Sequence, residues 1–183
     1  MTPDATRTGS APRVGIAAAT LVVALDQASK WWMLDHVMRP PRVIELTGFF
    51  NLVMGWNRGV SFGLFNTSTP YNAWVLSALA LIIVAVLAVW LGRTRSPLLA
   101  AAIGLIIGGA LGNVIDRVRF GAVFDFLDIH AAGFHWPAFN VADSAITVGA
   151  VMLVVDSLFA RPENYKHKGD GTTGSENRAN DGP

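Results

Sequence analysis

Four stretches of the chain are long and apolar enough to call for a lipid surrounding: residues 14–34, 72–92, 98–115 and 139–159. Each is near the ~20 residues needed to cross a hydrocarbon core as a helix. The second carries no charge at all. The third carries glycines at 104, 108 and 112. Glycine at every fourth position cuts a smooth groove along one helix face, into which a second helix can pack closely in lipid. Directly after the groove come Asn113, Asp116 and Arg117, which share one face at i, i+3 and i+4. Asp125 follows between two phenylalanines, and Asp143 stands near the start of the fourth apolar stretch.

Between these stretches lie two longer connections, 35–71 and 117–138, and one short turn containing Arg93 and Arg95. In the first, Arg39-Pro40-Pro41-Arg42 breaks any helix. VIELTGFFNLVMGW then has the β-branched and aromatic content of strands. Asn57 and Gly59 suggest a tight turn after it. The pattern predicts an all-α membrane protein of four transmembrane helices, with a small extracytoplasmic β-rich surface element between helices 1 and 2. Residues 1–13 read as a cytoplasmic tail, 14–160 as the membrane domain, and 161–183, polar and Gly/Asn-rich, as a disordered cytoplasmic tail. The run VGIAAATLVVAL has the length of a signal-peptide core. Asp26, Gln27 and Lys30 follow it without a small-x-small cleavage site, so it reads as a retained helix.

Composition agrees with this class. Hydrophobic residues make up 52% of the 183 positions and charged ones 15%, with a mean hydropathy of +0.42. A net charge of +1 without a basic stripe gives nucleic acid no purchase. The absence of cysteine excludes disulfides, thiolate metal sites and cysteine nucleophiles. Arg7, Arg13, Arg93, Arg95, Arg161, Lys166 and Lys168 alternate with the longer connections, which predicts both termini in the cytoplasm. Asn57, Asp116, Asp125 and Asp143 then share the outer face. Arg39, Arg42, Arg58, Arg117 and Arg119 lie on that side as well.

Asp26 and Lys30, one helical turn apart, would each cost about 2.5–3.5 kcal/mol at mid-membrane. They therefore turn inward or sit near an interface, either as a packing pair or as supports of a site. Asp116 reads equally as a helix-end ion pair or cap. No histidine pair has metal-ligand spacing, and no glycine-rich phosphate loop appears, so no metal or cofactor is expected. Two aspartates brought together can instead share one proton. At about 4 Å and an effective dielectric of about 20 their charges repel by about 4 kcal/mol, roughly three pKa units. One stays protonated while its partner is ionised, as in aspartic peptidases. Gly59-Val60-Ser61-Phe62-Gly63 matches the serine-hydrolase elbow G-x-S-x-G, but the α/β sheet that such an elbow requires is missing from the pattern.

DQASK at 26–30, NRGVSFG at 57–63, GGALGNVIDR at 108–117, VFDF at 123–126 and FNVADSAI at 139–146 resemble, in order, the motif set of the lipoprotein signal peptidases (signal peptidase II). The resemblance spans about residues 14–160. It implies a four-helix aspartic peptidase of the bacterial inner membrane, active near the outer face. Such enzymes remove signal peptides from prolipoproteins on the amino side of a diacylglyceryl-modified cysteine and are targets of globomycin. It implies Asp125 and Asp143 as the catalytic pair. Asp26, Lys30, Asn57, Gly59, Asn113, Asp116, Arg117 and Asn140 map to positions that support the site or contact substrate. The expected partners are prolipoprotein and membrane lipid, with the protein a monomer and the substrate groove between helices 2, 3 and 4 under the surface strands. Ser61 and Phe124 depart from the family pattern, where alanine and valine are usual. A small transporter or proton relay is the rival reading, because acids in spans also mark ion pathways; a non-catalytic scaffold leaves the acids without purpose.

Overall fold

Ser96 and Gly121 bracket the helix on which the others assemble. In the computed structural model, which describes residues 10–59 and 71–159, α3 runs Pro97–Phe120. The Ser96 side chain accepts from Leu99 N at 3.3 Å, and Pro97 occupies the first turn, where its missing N–H costs nothing. Gly121, at φ 71°, takes the left-handed conformation that ends a helix, with its N–H on the Arg117 carbonyl at 3.0 Å. Around α3 stand α1 (Ser10–Trp32, continued by a π-helical turn Met33–Val37), α2 (Asn72–Arg93) and α4 (Val141–Phe159).

Glycine sets the spacing. A Cβ on Gly104 would strike the Gly15 carbonyl of α1, and one on Gly108 would sit 2.6 Å from Ala19 O. On another face, a Cβ on Gly109 would strike the Ala142 carbonyl of α4, and one on Gly149 would come within 2.7 Å of Ala102 O. Helix α3 is thus held at backbone contact by two neighbours, the packing that small residues permit. Helix α2 fully buries only Ala73, Ser77 and Leu91, with Val84 and Leu87 packed against the core, and most of its other large apolar side chains are exposed.

Helices α2, α3 and α4 are each long and apolar enough to cross a membrane. Helix α1, of similar length, carries Arg13, Asp26 and Lys30.

Strands β1 (Ile44–Thr47), β2 (Phe50–Asn57), β3 (Val123–Ala131) and β4 (Phe134–His135) form one antiparallel sheet in that order. The sequence reading sets the strands between helices 1 and 2 and treats 117–138 as a connection. The sheet in fact draws half its strands from that second connection. Its register sets Gly55 opposite Asp125 and Asn57 opposite Val123. Asp128 ties three strands, accepting from Asn51 Nδ2 at 3.0 Å and facing His135 Nδ1 at 2.9 Å. Paired hydrogen bonds between Leu127 and Phe139 carry the sheet to the start of α4. Met33, Met38, Phe124 and Phe126 pack together beneath the sheet. Ser61 and the serine-hydrolase pattern around it, Arg7, and the tail 161–183 with its three basic residues lie outside the described residues.

Gly108→Ala should lower stability by about 1–3 kcal/mol, the usual cost of overpacking, read as thermal unfolding in detergent. Gly92→Ala, where the added methyl meets open space, should leave it unchanged or slightly raised.

Candidate active site

The polar residues picked out in the sequence converge at the end of the bundle that carries the sheet. Lys30 lies at their centre, 3% exposed. Its Nζ contacts Asp26 Oδ2 at 2.9 Å, Asp116 Oδ2 at 2.8 Å and Asn113 Oδ1 at 3.2 Å. An ammonium has three protons, and all three are used. Asp26 and Asp116 are 0% and 1% exposed, so their charges depend on this cation, because a buried carboxylate without a partner is very costly. Asp116 does not pair with neighbouring Arg117, as a helix-end ion pair would; its cation comes from α1.

Each of these two acids also holds one backbone N–H. Asp116 Oδ2 accepts from Phe124 N at 3.1 Å, and Asp26 Oδ1 from Ala142 N at 3.0 Å. Phe124 precedes Asp125 and Ala142 precedes Asp143, so one buried ion cluster fixes the backbone beside both acids. Gly112 makes this possible, since a Cβ there would lie 2.6 Å from Asp26 Oδ2. The third glycine of the groove therefore makes room for a carboxylate rather than for a helix.

Asn140 joins Asp125 to Asp143. Its Nδ2 donates to Asp125 Oδ1 at 2.6 Å, and its Oδ1 accepts from Asp143 N at 2.9 Å. Asp143 Oδ2 returns a bond by accepting from Asn140 N at 3.3 Å, a reciprocal cap of α4. Asn113 Nδ2 donates to Asp143 Oδ1 at 2.8 Å. From β2, Asn57 hydrogen-bonds the Asp125 side chain, while its own Oδ1 accepts from Gly59 N at 3.1 Å. Arg117 is in electrostatic reach of Asp143, Asp125 and Asp116.

Comparison with known proteins decides what this arrangement belongs to. The model of the signal peptidase (SPase) II family matches residues 18–159. The chain belongs to the signal peptidase II family. It is 50% identical over 153 residues to the lipoprotein signal peptidase of Methylorubrum extorquens, covering 82% of this chain and 88% of that one. To the lipoprotein signal peptidase of Burkholderia vietnamiensis it is 46% identical over 149 residues, 81% and 88% of the two chains. Among solved structures it resembles a bacterial membrane enzyme determined by the in meso method at 1.9 Å resolution, with TM-score 0.70, 29% identity, and 80% and 94% of the chains covered. A second such enzyme, determined at 2.3 Å, gives TM-score 0.69 at 30% identity, covering 79% and 87%.

The protein is thus a membrane peptidase, a hydrolase of peptide bonds, and its family removes lipoprotein signal peptides. In this peptidase Asp125 is 3% exposed. Burial first, and then the charge of Asp143, push its carboxyl up to about 7, against the hydrogen bonds from Asn57 and Asn140. A cleft of about 690 Å³ opens beside Asp143, between the β3–β4 end of the sheet and α4, with Trp136, Phe139 and Val148 among its walls. The sequence reading sets the groove between helices 2, 3 and 4; the lining of this cleft comes from β3, the β4–α4 connection and α4.

Sequence reasoning passed over Gln27. Its Nε2 lies within hydrogen-bond reach of Asp26 Oδ2 (3.1 Å), Gly112 O (3.2 Å) and Asp116 Oδ1 (2.9 Å), closing the cluster from the side of α1. Its place inside the DQASK motif was the available signal.

The raised Asp125 carboxyl fixes a pH dependence. Between about pH 4 and 7 the folded protein holds a proton there that the unfolded chain has released, so stability should fall as pH rises through that window and level off above it. Asp125→Asn should remove this fall, as thermal unfolding of both forms between pH 4 and 8 would record. An equal fall in the variant would assign it to another group.

Proposed function

We propose that the peptidase cuts prolipoproteins on the amino side of the diacylglyceryl-modified cysteine, with Asp125 and Asp143 activating water. The observation that carries this reading is the pair of acids, one on β3 and one on α4, with the Asn140 side chain bonded to the Asp125 carboxylate and to the Asp143 N–H, and with Asp143 lining an apolar cleft. Asp125, pushed up to about 7, supplies the proton. Asp143, which accepts from two N–H donors, supplies the ionised carboxylate.

Water then loses a proton to Asp143 as its oxygen attacks the scissile carbonyl, while the Asp125 proton moves to the carbonyl oxygen. As the tetrahedral intermediate collapses, the C–N bond breaks. The leaving nitrogen takes the proton from Asp143, and Asp125 recovers its own. The products are the carboxylate of the signal peptide and a free amine on the lipidated cysteine. Arg117, Asn57 and Asn113 orient the acids and the peptide backbone around them. Asp26, Lys30 and Asp116 act through the backbone they hold and do not take part in the proton transfers.

In the membrane, α1 is the fourth span. Asp26 and Lys30 fit there because both face α3 and neutralise each other near its polar end. Both termini lie in the cytoplasm, and the sheet lies at the outer face. Substrate lipid and signal helix reach the site from the bilayer, and the apolar cleft beside Asp143 supplies the orientation that lowers the entropic barrier. The protein works as a monomer in the cytoplasmic membrane. A transporter would spread charge through the depth, whereas α2 has none before Arg93.

Asp125→Asn and Asp143→Asn should each reduce cleavage of a purified diacylglyceryl-modified prolipoprotein by 10³-fold or more with unfolding temperatures preserved. Normal cleavage by either variant would remove that residue from the pair. Asp116→Asn, which leaves Lys30 paired with Asp26 alone, should cost about 1.5–3 kcal/mol of stability, the range for a lost hydrogen bond to a charged group. Full stability with no activity would instead move Asp116 into the catalytic set.

A further inference from the structure

A second cleft, of about 490 Å³, lies between the outgoing end of α1, the π-helical turn, β2 and the last turn of α3. Neither Asp125 nor Asp143 lines it, so it is separate from the hydrolytic cleft. Its floor is Gln27, Lys30 and Asp116, where the Lys30 ammonium is already engaged by two carboxylates, Asp26 and Asp116. Its mouth carries Arg39 and Arg119, with the Asp35 carboxylate beside Arg39.

Neither guanidinium is fully used. Arg39 gives Nη2 to Asp35 at 2.7 Å. Arg119 makes one long contact, Nη1 to Gln27 Oε1 at 3.5 Å, and lies 4.9 Å from the centre of the Phe120 ring. A guanidinium has five N–H donors, and its fork matches the oxygens of a phosphate. Trp31, Trp56 and Phe120 line the same cleft and are 40–55% exposed, and the two indoles are amphipathic rings of the kind that sit at the level of lipid headgroups. Leu34, Met38 and Met54 supply an apolar wall beside them. The arginines also continue a trend. Arg39, Arg42, Arg58, Arg117 and Arg119 all stand at the sheet end, against Arg13, Arg93 and Arg95 at the other end among the described residues.

We infer that this cleft seats the phosphate of an anionic phospholipid from the surrounding leaflet, held by Arg39 and Arg119 with its glycerol and upper acyl carbons against the aromatic and apolar wall. Basic pockets between membrane helices recognise lipid headgroups in this way. The seat borders the ion cluster that fixes Phe124 N, so a lipid bound there stiffens the backbone next to Asp125.

The test is native mass spectrometry of the detergent-solubilised full chain titrated with phosphatidylglycerol, with diacylglycerol of the same acyl chains, and with phosphatidylglycerol in the presence of inorganic phosphate. Phosphatidylglycerol should be retained at least tenfold better than diacylglycerol. Retention should fall at least fivefold in Arg39→Ala and in Arg119→Ala, and stay unchanged in Arg42→Ala, whose Nε is engaged by the Val37 carbonyl at 3.0 Å. Equal retention of diacylglycerol, unchanged retention in both cleft variants, or displacement by millimolar phosphate alone would overturn the proposal; the last would make this a free-anion site. A headgroup-diazirine phosphatidylglycerol on the wild type reads the site without substitutions. Labelling of Trp31, Met54 or Phe120 supports the seat, and labelling confined elsewhere rejects it.

Discussion

One buried ammonium organises the active end of this protein. Lys30, from α1, pairs at once with Asp26 on its own helix and Asp116 on α3, and each of those acids fastens the amide that precedes a candidate catalytic aspartate. A buried ion cluster of this sort is a poor source of net stability, because desolvation consumes most of the Coulomb energy. Its value is geometric. Three helices and one strand meet there, and none of them can shift without taking a buried carboxylate from its cation or its amide partner. The proposed sharing of one proton between Asp125 and Asp143 would depend on that geometry, since the repulsion of two carboxylates changes steeply with separation.

The small-residue packing serves the same end. Gly104 and Gly108 bring α1 against α3, which carries Asp26 close enough to reach Ala142 N past Gly112. Gly109 brings α4 against the opposite side, so Asn140 arrives where it can bind Asp125. Backbone proximity and side-chain chemistry are therefore one construction: the spacing of glycines along α3 sets the depth at which the carboxylates meet.

Much of this was legible in the sequence. Apolar length gave all four helices, glycine spacing gave the central one, and five ordered motifs pointed to the family and to the residues that gather at the site. The misreadings share a physical origin in tertiary partners. Asp116, Arg117 and Arg119 look like the polar finish of a helix, yet α3 runs on to Phe120 because Lys30, distant in sequence, satisfies Asp116. VFDFLDI lacks the alternation of a half-exposed strand because residues 122–126 are all buried, so the pattern rule for a surface strand does not find β3. Gln27, whose partners on α3 lie 85 and 89 positions away, could not be recognised by local pairing at all.

The unequal attachment of the helices also has an evolutionary consequence. Helix α2, apart from Ala73, Ser77, Val84, Leu87 and Leu91, exposes most of its large apolar side chains; at those exposed positions one apolar residue should replace another with small effect. Helix α3 has no such latitude, because a methyl group added at any of four glycines meets a neighbouring backbone or a carboxylate. Selection on this protein should therefore be sharply polarised between two adjacent membrane helices, one nearly neutral and the other nearly frozen.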